Sequence, residues 1–136
     1  MISLDRLVAR AGVDAEVHGN ATIGGMSIDS RKVSQSDLFV CMPSANTDSH
    51  QFISEAARAG ATAALVHSAE GLRTCQEAGL ASMFLEPSSY PDALWRLAKV
   101  VFDDPSASMN LIGITGTNGK TTIASVFHDC FMALGI

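Results

Sequence analysis

Leu111-Ile112-Gly113-Ile114-Thr115-Gly116-Thr117-Asn118-Gly119-Lys120-Thr121-Thr122 reads as a strand, a phosphate-binding loop and the start of a helix. An apolar run leads in, Gly116 and Gly119 bracket two small polar residues, and a Lys-Thr pair opens the helix. Loop N–H groups in that order can wrap a triphosphate while Lys120 reaches its β/γ oxygens. The N-terminal end of the helix dipole favours the same anion, and Thr121 sits where a hydroxyl ligates Mg²⁺. The strict spacing G-x-x-x-x-G-K-[ST] is not met, because Ile114 stands where its first glycine belongs and Gly113 lies one place early.

Upstream, strand and helix patterns alternate. Ser3 is placed to cap a helix carrying Leu4, Leu7 and Val8, with Gly12 as its stop. Ile23, Met26 and Ile28 surround a strand that runs into Asp29-Ser30-Arg31, and Asp37 to Met42 reads as a buried strand ended by Pro43. Asp48 is a cap for a helix with Ile53, Ala56 and Ala57 on its apolar face, closed by Gly60. Ala61 to Val66 is a strand, Glu70 to Ala78 a helix, and Leu80 to Leu85 a strand. Ser89 and Pro91 start a helix with Leu94, Leu97, Ala98 and Val101 on one face, and Tyr90 and Trp95 read as packing residues. This rhythm predicts an α/β fold, a sheet covered by helices.

Asp103 to Ser108 is polar, contains Pro105 and reads as a linker. Two domains are expected: residues 1–105 as a complete small one, and 106–136 as the opening strand, loop and helix of a second. A single β-α unit cannot bury its own faces, so the second is expected to be incomplete.

The chain has 136 residues, 47% of them hydrophobic, and a net charge of −5 without any Lys/Arg cluster, which argues against a nucleic-acid surface. No apolar run reaches the roughly 18 residues of a membrane span, and the N-terminus carries no signal-peptide pattern. A soluble, cytoplasmic protein follows as the expectation. Cys41, Cys75 and Cys130 are widely spaced, fit reduced thiols and read as small buried hydrophobes. His18, His50, His67 and His128 show no metal-ligand spacing, and His50 reads as a residue that caps or packs beside its helix start.

A second pattern precedes the loop: Asp29-Ser30-Arg31-Lys32-Val33, Asp37-Leu38-Phe39-Val40, Asp48-Ser49-His50-Gln51-Phe52-Ile53 and Glu55-Ala56-Ala57-Arg58-Ala59-Gly60-Ala61. With the T-G-T-N-G-K-T-T loop, it resembles the N-terminal region of the Mur ligases, the UDP-N-acetylmuramoyl-peptide ligases, and most of all their MurE branch. The resemblance covers essentially the whole chain. It implies a MurE/MurF-like N-terminal domain with a helix-covered mixed sheet, which holds UDP-N-acetylmuramoyl-alanyl-glutamate, followed by the first strand, P-loop and helix of an ATPase domain.

The implied reaction is ATP-dependent amide-bond formation. The γ-phosphoryl group of ATP passes to the substrate carboxylate, and the acyl-phosphate is attacked by a diamino acid, diaminopimelate or lysine. Gly116, Thr117, Asn118, Gly119, Lys120, Thr121 and Thr122 would bind ATP, with Lys120 stabilising the phosphates and Thr121 on Mg²⁺. Ile28, Ser30, Ala45, Asn46 and Thr47 would hold the UDP end. No residue set here completes catalysis, so the chain alone is expected to be inactive, and the full-length enzyme to be a monomer without nucleic-acid or membrane partners. Ser36, Ser44 and Ser49 stand where these ligases commonly carry glycine. A MurF-type ligase, a UDP-sugar-binding module with a vestigial nucleotide loop and a generic P-loop kinase or GTPase are the alternatives. Against the last, those folds place the loop after their first strand.

Overall fold

The computed structural model describes residues 1–135; residue 136, the end of the expected second domain, lies outside the described residues. The chain divides into two compact units, Met1–Pro105 and Ser106–Ile136.

The first unit is built on a five-stranded sheet. Its strands are β2 (Glu16–His18), β4 (Gly25–Ser27), β5 (Asp37–Val40), β6 (Ala63–Val66) and β7 (Ala81–Phe84), in the order β2-β7-β6-β5-β4. β4 through β7 run parallel, and β2 pairs antiparallel with β7 at one edge. The sheet is therefore mixed, as the family resemblance implies. β1 (Ile2–Ser3) and β3 (Thr22–Ile23) form a separate antiparallel pair.

Helices cover both faces. Every residue of β5 and β6 is buried, as in strands of a parallel sheet packed on both sides. Period-two alternation divides them. Leu38, Val40, Ala63 and Leu65 join α1 (Leu4–Ala11) and α4 (Tyr90–Val101) through Leu4, Leu7, Tyr90, Ala93 and Leu97. Phe39, Cys41, Ala64 and Val66 join α2 (Ile53–Ala59) and α3 (Ala69–Ala78) through Ile53, Ala56 and Cys75.

Gly12, Gly60 and Gly79 end their helices in the left-handed conformation. The Ser3 side chain, expected as a cap, makes no capping bond, nor does that of Ser89 before α4, whereas Ser68 caps α3 through the Gly71 N–H. Asp48 caps a 3₁₀ turn, Ser49–Phe52, that feeds α2.

Three expectations are corrected. Trp95 is half exposed rather than packed, with the Arg96 guanidinium 5.4 Å and the Lys99 ammonium 6.0 Å from its ring. Cys130 is exposed, whereas Cys41 and Cys75 are fully buried, and burial pushes the Cys75 thiol up to about 11. The strand read into Leu111–Ile114 does not form, because none of the described residues pairs with that segment, and a lone strand leaves its backbone groups unpartnered.

In the second unit a 3₁₀ turn, Pro105–Ser108, begins at the boundary and is followed by the loop and by α5 (Lys120–Leu134). No described residue of α5 is buried. Asp103 and Asp104, with φ of 56° and 46°, form the bend after α4, and Asp104 pairs with Lys99 at 2.9 Å.

Candidate functional site

Two sets of groups gather at loops of the first unit. Loops at the carboxyl ends of parallel strands are where open α/β sheets bind ligands. β4, β5 and β6 are neighbours and point the same way, so the segments that follow them share one edge of the sheet.

After β4, Ile28, Asp29, Ser30, Arg31, Phe52 and Glu55 line a cleft of about 490 Å³. Ile28 is 70% exposed and Phe52 37% exposed, which offers apolar surface to a flat ring. Ser30 is buried, and its hydroxyl donates to Glu55 Oε2 at 2.8 Å. Asp29 and Arg31 form a bidentate pair, with Nε and Nη2 each 2.9 Å from a carboxylate oxygen. The Arg31 side-chain and backbone N–H groups hold the Asp29 carboxyl down at about 2. The two residues thus pair and close a turn.

After β5, Ala45, Asn46 and Thr47 line a second cleft of about 360 Å³ with Ser44, Asp48, His50, His67 and Ser68. Residues 44 to 47 are all exposed, whereas His50 is 3% exposed. Asp48 Oδ1 accepts the His50 backbone N–H at 3.0 Å and lies 2.6 Å from His50 Nδ1. His50 Nε2 accepts the His67 backbone N–H at 3.3 Å. The backbone and ring N–H groups of His50 hold Asp48 below the usual carboxylate range. Burial pushes His67 below the usual histidine range.

The five expected substrate residues therefore fall into two clefts at one sheet edge: Ile28 and Ser30 in the first, Ala45, Asn46 and Thr47 in the second. The segment from Asp48 to Glu55 supplies residues to both. Glu55 and His67 were not singled out as site residues from the sequence. Glu55 meets Ser30 across 25 positions, a pairing without local signature. The only local signal for His67 is its place directly after β6.

Of the three serines at glycine-like positions, Ser36 has a positive φ, 67°, while Ser44 and Ser49 are not in that region. A glycine-type backbone is thus retained only at Ser36, which lies outside both clefts.

In the second unit, Gly116 and Gly119 have φ of 151° and 78°, a region that side chains rarely enter. Gly119 sits directly before α5, whose first turn has no side-chain cap, and its N–H groups are open to an anion. Lys120 Nζ donates back to the Gly116 carbonyl at 2.5 Å. Thr117, Asn118, Thr121 and Thr122 are exposed around the same turn. This donor set, a lysine, free helix-terminal N–H groups and hydroxyls, fits a polyphosphate. Among the described residues no group of three His, Cys, Asp or Glu side chains gathers as a metal site, and no helix is long and apolar enough to cross a membrane.

The model of the Mur ligase family, catalytic domain, matches residues 22–99. The chain is 38% identical over 117 residues to the UDP-N-acetylmuramoyl-L-alanyl-D-glutamate–2,6-diaminopimelate ligase of Bacteroides fragilis, covering 83% of this chain and 22% of that protein. The ligase of the same name from Phocaeicola vulgatus is 30% identical over an alignment covering 98% of this chain and 27% of its own length. Among solved structures, the CBS and DRTGG domains of the regulatory region of Clostridium perfringens pyrophosphatase align over 73% of this chain and 48% of theirs, at 14% identity and a TM-score of 0.42. The chain spans about a quarter of the length of the ligases it matches. With more than half of its residues under the family model, the chain belongs to the Mur ligase family.

Proposed function

We propose that this chain supplies the substrate-holding domain and the nucleotide loop of a MurE-type ligase. Such an enzyme joins a diamino acid to UDP-N-acetylmuramoyl-L-alanyl-D-glutamate in peptidoglycan synthesis, in the cytoplasm. The observation that carries this reading is the family match over residues 22–99, which spans both clefts at the strand ends. The names of the matched relatives point to diaminopimelate as the acceptor amino acid.

Ile28 and Phe52 offer an apolar surface to a nucleobase, and the hydroxyls of Ser44 and Thr47 can meet the polar remainder of the UDP end. Residues 116 to 119 would donate backbone N–H groups to phosphate oxygens, and Lys120 would exchange the Gly116 carbonyl for them. Thr121 would hold Mg²⁺, and Asn118 and Thr122 support the turn. ATP·Mg²⁺, when bound, supplies the phosphoryl group that activates the substrate carboxylate, a transfer governed by positioning and charge neutralisation. The residues that orient the amine belong to the part of the ligase outside this chain, so the chain alone forms no amide bond.

The test is a ¹H–¹⁵N NMR titration of this chain, first with the UDP-muramoyl dipeptide and then with ATP·Mg²⁺. Amide shifts near Ile28, Ser30 and Ala45–Thr47 with the first ligand, and near Gly116–Thr122 with the second, are expected. Silence of both regions at millimolar ligand would overturn the proposal. Amide-bond formation by the chain alone would overturn its dependence on the rest of the ligase.

A further inference from the structure

His50 is a buried polar side chain of the first unit, at 3% exposure, and the chemistry proposed above does not use it. The groups around it fix its proton. The His67 backbone N–H that meets Nε2 can only donate, so Nε2 carries the lone pair. Nδ1 then carries the hydrogen and donates it to Asp48 Oδ1, 2.6 Å away. Both ring nitrogens of the neutral imidazole are thus engaged, one toward the end of the loop after β5 and the other toward the first residue after β6.

The loop joined in this way has little else to hold it. Residues 44 to 47 bury no side chain, so no core contact orients them. Within them the Asn46 N–H donates to Ser44 Oγ at 3.2 Å, and across their base Ser49 Oγ donates to the Met42 carbonyl at 2.9 Å. α3 makes room for the ring at Gly71, where a Cβ would lie 2.7 Å from His50 Nε2 and 2.9 Å from Val66 Cβ. The His67 ring completes the enclosure, its centroid 4.3 Å from that of His50.

We infer that His50 is a positioning residue, a neutral strut that ties the Ala45–Thr47 loop through Asp48 to the end of β6 and so presets that loop for its ligand. The identity of the ligand rests on the proposed function; the strut itself rests on the geometry alone.

Nuclear magnetic resonance on this chain tests it, with UDP as the probe. Long-range ¹H–¹⁵N correlations should show His50 as the Nδ1–H tautomer. Backbone order parameters at Ala45–Thr47 should lie near the rigid value of about 0.85, and fall below about 0.6 in His50→Leu. That variant keeps buried volume and the Asp48 backbone cap while removing both polar arms. Asp48→Ala cuts the strut at an exposed residue, should mobilise the loop equally, and serves if His50→Leu does not fold. Asp48→Asn keeps the acceptor and should restore the wild-type values. UDP affinity should fall roughly tenfold in the two disrupting variants, the loss of about one hydrogen bond.

Unchanged order parameters in Asp48→Ala, an Nε2–H tautomer, or equal loop mobility in Asp48→Asn and Asp48→Ala would each overturn the strut. Failure of the wild-type chain to bind UDP would instead overturn the ligand assignment, and the order parameters would still decide the strut.

Discussion

The loop after β5 and the loop before α5 are both short, polar and exposed, yet they are held in opposite ways. Ala45–Thr47 leans on Asp48, His50 and the His67 N–H, groups brought together by a sheet and two helices. Gly116–Lys120 is shaped by its own glycines, by the turn into α5 and by one lysine bond to the Gly116 carbonyl. The difference shows that a site can be written locally, in backbone conformation, or assembled at a distance by the core. Only the second kind should fail when the core is disturbed.

The largest expected effect separates the two loops by function. In a ligase carrying this loop with the rest of its domain, Lys120→Ala should lower turnover by about 10²–10³-fold, as for loss of one preorganised donor. The unfolding midpoint of the first unit should not move. A steady-state assay beside a urea titration checks both, and a shifted midpoint would mean the loop is not locally autonomous.

Leu65→Ala removes a fully buried side chain of β6 and should cost about 3 kcal/mol in chemical denaturation. Phe127→Ala, on the exposed α5, should change stability by less than about 0.5 kcal/mol. Similar losses at the two positions would erase the contrast between the units.

Gly71→Ala tests the packing beneath the first loop, since the added methyl has no free space beside His50 and Val66. About 1–3 kcal/mol of destabilisation is expected, with amide shift changes reaching Ala45–Thr47 but not Gly116–Lys120. Shifts confined to α3 would show that loop and helix are uncoupled.

Acid should discriminate more gently. His67 is held below its ordinary value when folded, so on acidification the unfolded chain binds the proton first. Stability is then flat above about pH 6.5 and declines as pH falls through the lowered value. Asp48 and Asp29, both depressed, add stability that is present above the usual carboxylate range and lost at lower pH, for Asp29 down to about 2. Urea midpoints from about pH 8 to about pH 5 should fall, and His67→Asn should flatten that limb. A midpoint that rises on acidification would contradict the sign.

The smallest effect belongs to Ser36, whose φ of 67° suits glycine. Ser36→Gly relieves that strain but loosens the unfolded chain, leaving a net gain of about 0.5 kcal/mol. A loss of stability in thermal melts would mean that the serine side chain holds the turn.

Much of the molecule was legible in its sequence, for reasons visible at particular residues. Gly12 and Gly60 mark helix ends because the left-handed conformation is a local property. The buried runs of β5 and β6 announce themselves by composition. The short β2 does not, because Glu16-Val17-His18 has only one apolar residue and owes its existence to antiparallel pairing with β7. The same dependence on a partner explains the opposite miss: Leu111–Ile114 has strand composition but no pairing partner among the described residues.

By itself, then, the sequence determined the alternation of strands and helices, the backbone of the glycine loop before α5 and the residue types at the sheet edge. These depend on conformational preference and hydrophobic period, which act over a few residues. Only the tertiary structure decided that the expected substrate residues occupy two clefts, that the Ser30 hydroxyl is committed to Glu55, and that His50 is buried between Asp48 and His67. Those arrangements join groups far apart in the chain, and forming them requires the closed sheet and packed helices that bring the groups within hydrogen-bonding distance.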